Sequence, residues 1–184
     1  MIKKRILIIS IIIALFGTFL IESKSIQKIM YPKKYSVYVE KYAKEFNINE
    51  NLVYSVIKAE SKFREDAQSR KGAKGLMQIS DITRDWAVEE LELSNIDIFE
   101  PEHNIKIGCW YLNKLYKEFG DLNLVIAAYN GGSGNVTRWL KNSDYSNDGK
   151  QLHNIPFEET SNYVKKVNKY FKKYNEIYRR EGNN

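Results

Sequence analysis

Apolar residues recur along this chain at helical spacing, and that recurrence limits the possible folds more than any other feature. Tyr35, Tyr38, Val39, Tyr42 and Phe46 stand at i, i+3, i+4, i+7 and i+11, the stripe of an amphipathic helix. After a break at Asn47-Ile48-Asn49, where Asn49 can cap a helix, Val53, Val56 and Ile57 begin a second stripe. Ile105, Cys109, Leu112, Tyr116 and Phe119 form a third, opened by Pro101 and closed by Gly120. Tyr163, Val167, Tyr170 or Phe171, and Tyr174 form a fourth. Helices are expected at about 50–61, 81–91, 102–119, 121–129, 135–140 and 158–178, after one from Tyr35 to Phe46. Strand signal is confined to a short hairpin near 70–80. The expected fold class is mainly α, one globular helical domain without internal repeats.

Total charge points elsewhere, because a formal +6 and a pI near 9.2 invite a nucleic-acid partner. Its distribution argues against one. Residues 1–30 carry +4, residues 31–164 carry −3, and residues 165–184 carry +5. A nucleic-acid-binding domain would spread positive charge over its working face. No nucleic acid is therefore expected as a partner.

The first cluster has its own explanation. Lys3, Lys4 and Arg5 precede an uncharged run, Ile6 to Ile21. As a helix it spans about 24 Å, slightly less than the roughly 30 Å hydrocarbon core, a gap that flanking lysines can bridge. Residues 1–30 are read as a cytoplasmic basic end and a single-pass transmembrane anchor. Residues 31–184 then form a domain on the outer face of the cytoplasmic membrane, since basic clusters stay inside. A cleaved signal peptide is the rival, with Glu22-Ser23-Lys24-Ser25 as a weak cleavage site. The single Cys109 excludes an intramolecular disulfide and suits a buried core thiol. His103 and His153 lack metal-ligand spacing, and neither a metal nor a cofactor is expected.

One residue breaks the apolar pattern in an informative way. The stripe Val53, Val56, Ile57 continues to Glu60, with Phe63 just beyond. Burial and the negative end of a helix dipole both raise the pKa of a carboxyl there. A raised carboxyl suits a general acid that must protonate a leaving oxygen. A glutamate turned to solvent, or paired with Lys62 or Arg64, is the plainer alternative.

Motifs in order then bring in a family. Glu60-Ser61, Gly75-Leu76-Met77-Gln78, Ala128-Tyr129-Asn130-Gly131-Gly132, and Ile155-Pro156 with Glu159-Thr160 and Tyr163-Val164 resemble the family-1 lytic transglycosylases. Asn104 before Gly108, and Tyr111-Leu112, add to the likeness, which covers about residues 38–174. The resemblance implies a lysozyme-like α+β fold and cleavage of peptidoglycan glycan strands between N-acetylmuramic acid and N-acetylglucosamine. It implies that Glu60 acts first as acid and then as base on the muramic 6-hydroxyl, leaving a 1,6-anhydro end without consuming water. An internal nucleophile has a very high effective concentration, which accounts for dispensing with bound water.

The same resemblance implies substrate contacts by Ser61, Ser69, Met77, Gln78, Tyr129, Asn130 and Tyr163. Plainer roles stay open for most of them. Ser61 can be a helix-end hydroxyl, Ser69 a turn residue, Gln78 a helix-start or exposed residue, Asn130 a cap, and Tyr129 and Tyr163 core. The chain departs from the family at Ser80-Asp81, where Met-Pro is common, at Gly131, where Ala is usual, and at Phe157, where Tyr is common. A polar insertion, residues 141–154, lies late in the domain. A hydrolytic muramidase on the same fold is the nearest rival; it needs a second carboxylate, for which Asp66, Asp81, Asp85 and Glu159 are available. A non-catalytic wall-binding protein is the rival from another class.

Overall fold

The structure, a computed structural model, describes residues 23–179. Eight helices occur among them: α1 (Lys24–Met30), α2 (Ser36–Glu45), α3 (Glu50–Glu60), α4 (Asp81–Glu90), α5 (Pro101–Phe119), α6 (Leu122–Gly131), α7 (Ser133–Leu140) and α8 (Glu158–Ile177). The last seven match the expected segments to within about two residues. The anchor expected over residues 6–21 lies outside the described residues. No helix among those described is long and apolar enough to cross a membrane. Helix α1 falls within the stretch that sequence assigned to the N-terminal segment.

Capping residues set the helix starts. Asn49 accepts from Asn51 N at 2.9 Å, Ser80 from Thr83 N at 3.1 Å, and Asp121 from Asn123 N and Leu124 N. Gly120 ends α5 at φ +70°, a conformation that costs glycine little. Between α6 and α7, Gly132 at φ +86° turns the chain.

Helix α3 is the central element. It packs against α2 on one side and α8 on the other, while α8 also covers α6. Six consecutive residues, Leu52 to Ile57, are buried, so α3 is enclosed over most of its circumference. Leu52, Val53, Val56 and Ile57 are each at most 1% exposed. At about 1.5–3 kcal/mol for each such side chain, their burial outweighs the cost of one poorly solvated carboxyl at the helix end. Tyr54 stacks on Tyr174 of α8 with ring centroids 5.6 Å apart, and Asn51 donates to Asn175 at 2.8 Å. Helices α3 and α8 therefore run antiparallel, bringing the end of α3 to the start of α8. Cys109 is fully buried on α5, as its stripe predicts.

The β part of the expected α+β fold is smaller than the sequence implied. The hairpin near 70–80 consists of two isolated antiparallel bridges, Gln68 with Lys74 and Lys74 with Ile79, and no strand forms among the described residues. The physical reason is turning. Lys62, Phe63, Gly72, Gly75 and Gln78 all have positive φ, so the chain bends before a ladder can extend.

Candidate active site

Three elements meet at the last turn of α3. The loop from Lys62 to Ser80 leaves it, the end of α6 lies across from it, and the first turns of α8 close over it. Glu60 sits at that junction on the stripe that buries Val53, Val56 and Ile57, and is itself only partly exposed. Burial pushes its carboxyl up from 4.5 to about 7. The Tyr163 hydroxyl and the Lys166 ammonium oppose that rise, and the Glu159 carboxylate adds to it. At pH 7 roughly half of such carboxyls carry a proton, against about 0.2% for an ordinary glutamate.

Tyr163 and Tyr129 flank this acid. Tyr163 is 5% exposed, and its hydroxyl has no partner of full hydrogen-bond geometry. It faces Glu60 in a looser contact that favours the carboxylate. Burial and then the Glu60 charge raise both phenols well above their ordinary value, so they remain protonated donors. Tyr129 donates to the Met77 carbonyl at 2.8 Å, tying α6 to the loop. A line of aromatic rings, Trp86, Trp110, Tyr111 and Tyr129, supports it from α4 and α5.

The other expected residues fall into two groups. Asn130 and Tyr129 reach the junction from α6. Asn130 Oδ1 accepts from Thr160 Oγ1 of α8 at 2.8 Å, which clamps the two helices together. Ser69 and Gln78 belong to the loop. Ser69 Oγ accepts from Ala73 N at 3.0 Å within a turn. Gln78 donates through Nε2 to Ala67 O at 3.0 Å and to Gly75 O at 2.9 Å, so its amide oxygen is the end left for a ligand.

Two residues are placed differently from a cleft lining. Met77 is fully buried; its side chain lies over Gly108, which has no room for a Cβ beneath the thioether. Only its backbone serves the site, through the bond from Tyr129. Ser61 is 1% exposed, and its hydroxyl donates to Ile57 O at 3.2 Å, back along α3. Its hydroxyl finishes the helix, because the last carbonyls of a helix need donors.

The loop has a brace that pattern reading passed over as a site residue. Asn104 of α5 is fully buried. It accepts from Met77 N at 2.8 Å and donates to Lys74 O at 3.0 Å and Ile98 O at 2.8 Å. Gly75, at φ +76°, packs so closely on Asn104 and Ile98 O that no side chain fits. A buried asparagine in an otherwise apolar stripe was the available signal. Thr160, 2% exposed, and Lys166 also went unassigned as site residues.

The acids proposed for a second carboxylate are engaged elsewhere. Asp81 pairs with Lys74 and Arg84, each at 2.8 Å, and Asp85 pairs with Arg84. Glu159, its side chain 76% exposed, pairs with Lys71 at 3.8 Å. Asp66 lines a separate cleft of about 600 Å³ with Glu65, Asp97 and Glu100. A larger depression, about 1070 Å³, lies at the opposite end of α3 beside Lys33, Asn49 and Tyr178 and holds none of the expected site residues. Size alone does not mark the chemistry here.

Residues 37–152 match the family described as "Transglycosylase SLT domain". The chain is 34% identical over 143 residues to the soluble lytic murein transglycosylase of Salmonella typhimurium, covering 74% of this chain and 22% of that protein. It is 36% identical over 118 residues to the membrane-bound lytic murein transglycosylase C of Yersinia pestis, covering 57% and 33%. The fold superposes with a TM-score of 0.71 on lytic transglycosylase Slt of Pseudomonas aeruginosa, solved as an inactive glutamate-to-glutamine mutant. That likeness has 28% identity and covers 81% of this chain and 25% of the other. The chain thus spans between a fifth and a third of the length of these relatives. With more than half of its residues matched by one family, the chain belongs to the transglycosylase SLT-domain family.

Proposed function

We propose that this protein is a lytic transglycosylase that cleaves the β-1,4 bond from N-acetylmuramic acid to N-acetylglucosamine in peptidoglycan, forms 1,6-anhydro ends and so remodels the cell wall. The observation that carries this is Glu60, one carboxyl poised near neutrality between two protonated tyrosines. A group near pKa 7 serves both halves of the reaction. Protonated, it gives its proton to the leaving glycosidic oxygen. Ionised, it takes the proton of the muramic 6-hydroxyl as that oxygen attacks its own anomeric carbon. Lys166 and the Tyr163 hydroxyl favour the ionised form between the two steps, while burial and Glu159 restore the acid. The relatives named above support the reading, and the loss of activity on a glutamate-to-glutamine change in one of them agrees with dependence on a single acid.

Substrate contacts are assigned to Gln78, Tyr129, Asn130, Tyr163 and Ser69 around that acid. Residues 31–184 form the catalytic domain, and residues 1–30 carry the membrane anchor, with the domain on the outer face of the cytoplasmic membrane. A membrane-bound relative supports that location, whereas other relatives are soluble. The hydrolytic alternative would recruit Glu159, whose charge reaches Glu60, as base for a water. Its exposure and its bond to Lys71 disfavour that role.

Digestion of purified peptidoglycan with mass spectrometry of the products tests the proposal. Anhydro-muropeptides are expected. Reducing ends in their place identify a hydrolase, and release of nothing identifies a binding protein.

A further inference from the structure

Next to the site, on another side of α3, lies a groove of about 240 Å³ walled by Ile29, Met30, Pro32, Lys58, Lys62, Phe63 and Tyr170. Its chemistry is apolar and basic together. Ile29 and Met30, at the end of α1, are 78% and 50% exposed. Lys58 lies over the rings of Tyr31 and Tyr170, at 4.7 and 5.3 Å, and donates to Met30 O at 2.6 Å. Among the described residues neither Lys58 nor Lys62 forms an ion pair with a carboxylate. Burial and the nearby Lys62 both lower the pKa of Lys58, as expected for two cations held together without an anion.

Position identifies the missing counterpart. Helix α1 begins at Lys24, three residues after the uncharged run Ile6–Ile21, and its seven residues extend about 10 Å. Exposed apolar side chains beside lysines that have no carboxylate partner, this near the end of an anchor, have the composition of an interfacial membrane-binding surface. We infer that the groove formed by the end of α1 with Lys58 and Lys62 docks onto an anionic lipid surface and sets the orientation of the domain on the membrane. This rests on the anchor proposed above. Glu60 follows Lys58 by two residues, about 200° around the helix, so docking leaves the acid on the far side, open to the wall.

The test uses the full chain with Ile29→Cys carrying an environment-sensitive fluorophore. Cys109 is fully buried and does not compete for the label. In vesicles of mixed phosphatidylglycerol and phosphatidylcholine, the label is expected to shift to the blue and resist aqueous iodide. In pure phosphatidylcholine it is expected to remain quenchable. Lys58→Gln with Lys62→Gln should lower the docked population about thirty-fold, and the exposed Lys62→Gln alone about five-fold, should the double variant misfold. Equal shielding in both vesicles, or shielding that survives these substitutions, overturns the proposal, the second result meaning that some other part of the chain covers the groove. Carbonate extraction of the same vesicles separates the two ideas. Protein released by carbonate refutes the anchor, while label shielding on anionic vesicles alone still supports the docking face.

Discussion

Glu102, on the first turn of α5, accepts from Lys41 Nζ at 2.8 Å and from the Tyr42 hydroxyl at 2.7 Å, and these bonds hold its carboxyl below the ordinary range. Glu60, on the last turn of α3, also faces tyrosines, yet its carboxyl rises to about 7. The helix ends differ in sign, since an N-terminus favours a carboxylate and a C-terminus disfavours it. Partners differ as well. Glu102 has an ammonium and a phenol at full hydrogen-bond distance, whereas Glu60 has a loose phenol and a lysine acting only through its field. A carboxyl near neutrality is made here by withholding partners, not by adding them.

The largest effect should come from exchanging Glu60 for its amide, with the same exchange at Glu102 as the comparison. Glu60→Gln is expected to lower the rate of anhydro-product release by about 10³-fold, within the usual range for losing a general acid. Glu102→Gln should change it less than about two-fold, because an exposed ion pair contributes little. Equal losses would show that the two acids do not differ in role.

Asn104 is next. Asn104→Leu removes three bonds from a fully buried amide and leaves Met77 N, Lys74 O and Ile98 O seeking partners. A loss of about 2–4 kcal/mol is expected in urea unfolding, with turnover falling as the loop loosens.

Stability against pH gives a third measurement, with a definite sign. The folded pKa of Glu60 is raised above its ordinary value, so the folded state binds more protons than the unfolded state between about 4.5 and 7. Glu60 therefore costs no stability below that window, and its full cost is present above it. Glu60→Gln should stabilise the fold by roughly 2–3 kcal/mol at pH 8 and by nothing at pH 4. Thermal melts at both pH values check this. Gain at pH 4 alone would contradict the assigned burial.

The smallest effect is expected at Tyr163. Its hydroxyl favours the carboxylate, so Tyr163→Phe should move the basic limb of the rate profile, where the acid loses its proton, upward by a fraction of a pH unit. A downward shift would mean that the phenol stabilises the acid form.

Much of this was legible because helices announce themselves. The stripes placed α2, α3, α5 and α8, and the same periodicity exposed Glu60 as an acid in an apolar position. What escaped depends on contacts across the chain. Met77 sits inside a motif, but whether its side chain faces a cleft or the core depends on Gly108, thirty-one residues later. Asn104 is marked by its polarity within an apolar stripe, but its partners, Met77, Lys74 and Ile98, are fixed only by contacts across the chain. Ser61 lies beside the acid in sequence, yet helical geometry points it back to Ile57. The hairpin near 70–80 failed to extend because five residues with positive φ bend the chain between Lys62 and Gln78.

The enclosure of Glu60 is assembled from distant parts of the polypeptide. Residue 60 leaves the ribosome about a hundred residues before Tyr163 and Lys166, and α8 is the last helix of the domain. Without α8 in place on α3, Glu60 would lack part of the burial, and the neighbours Tyr163, Lys166 and Glu159, that set its pKa. The raised pKa of Glu60 is thus a property of the assembled fold and not of its local sequence, since the groups that set it come from opposite ends of the domain.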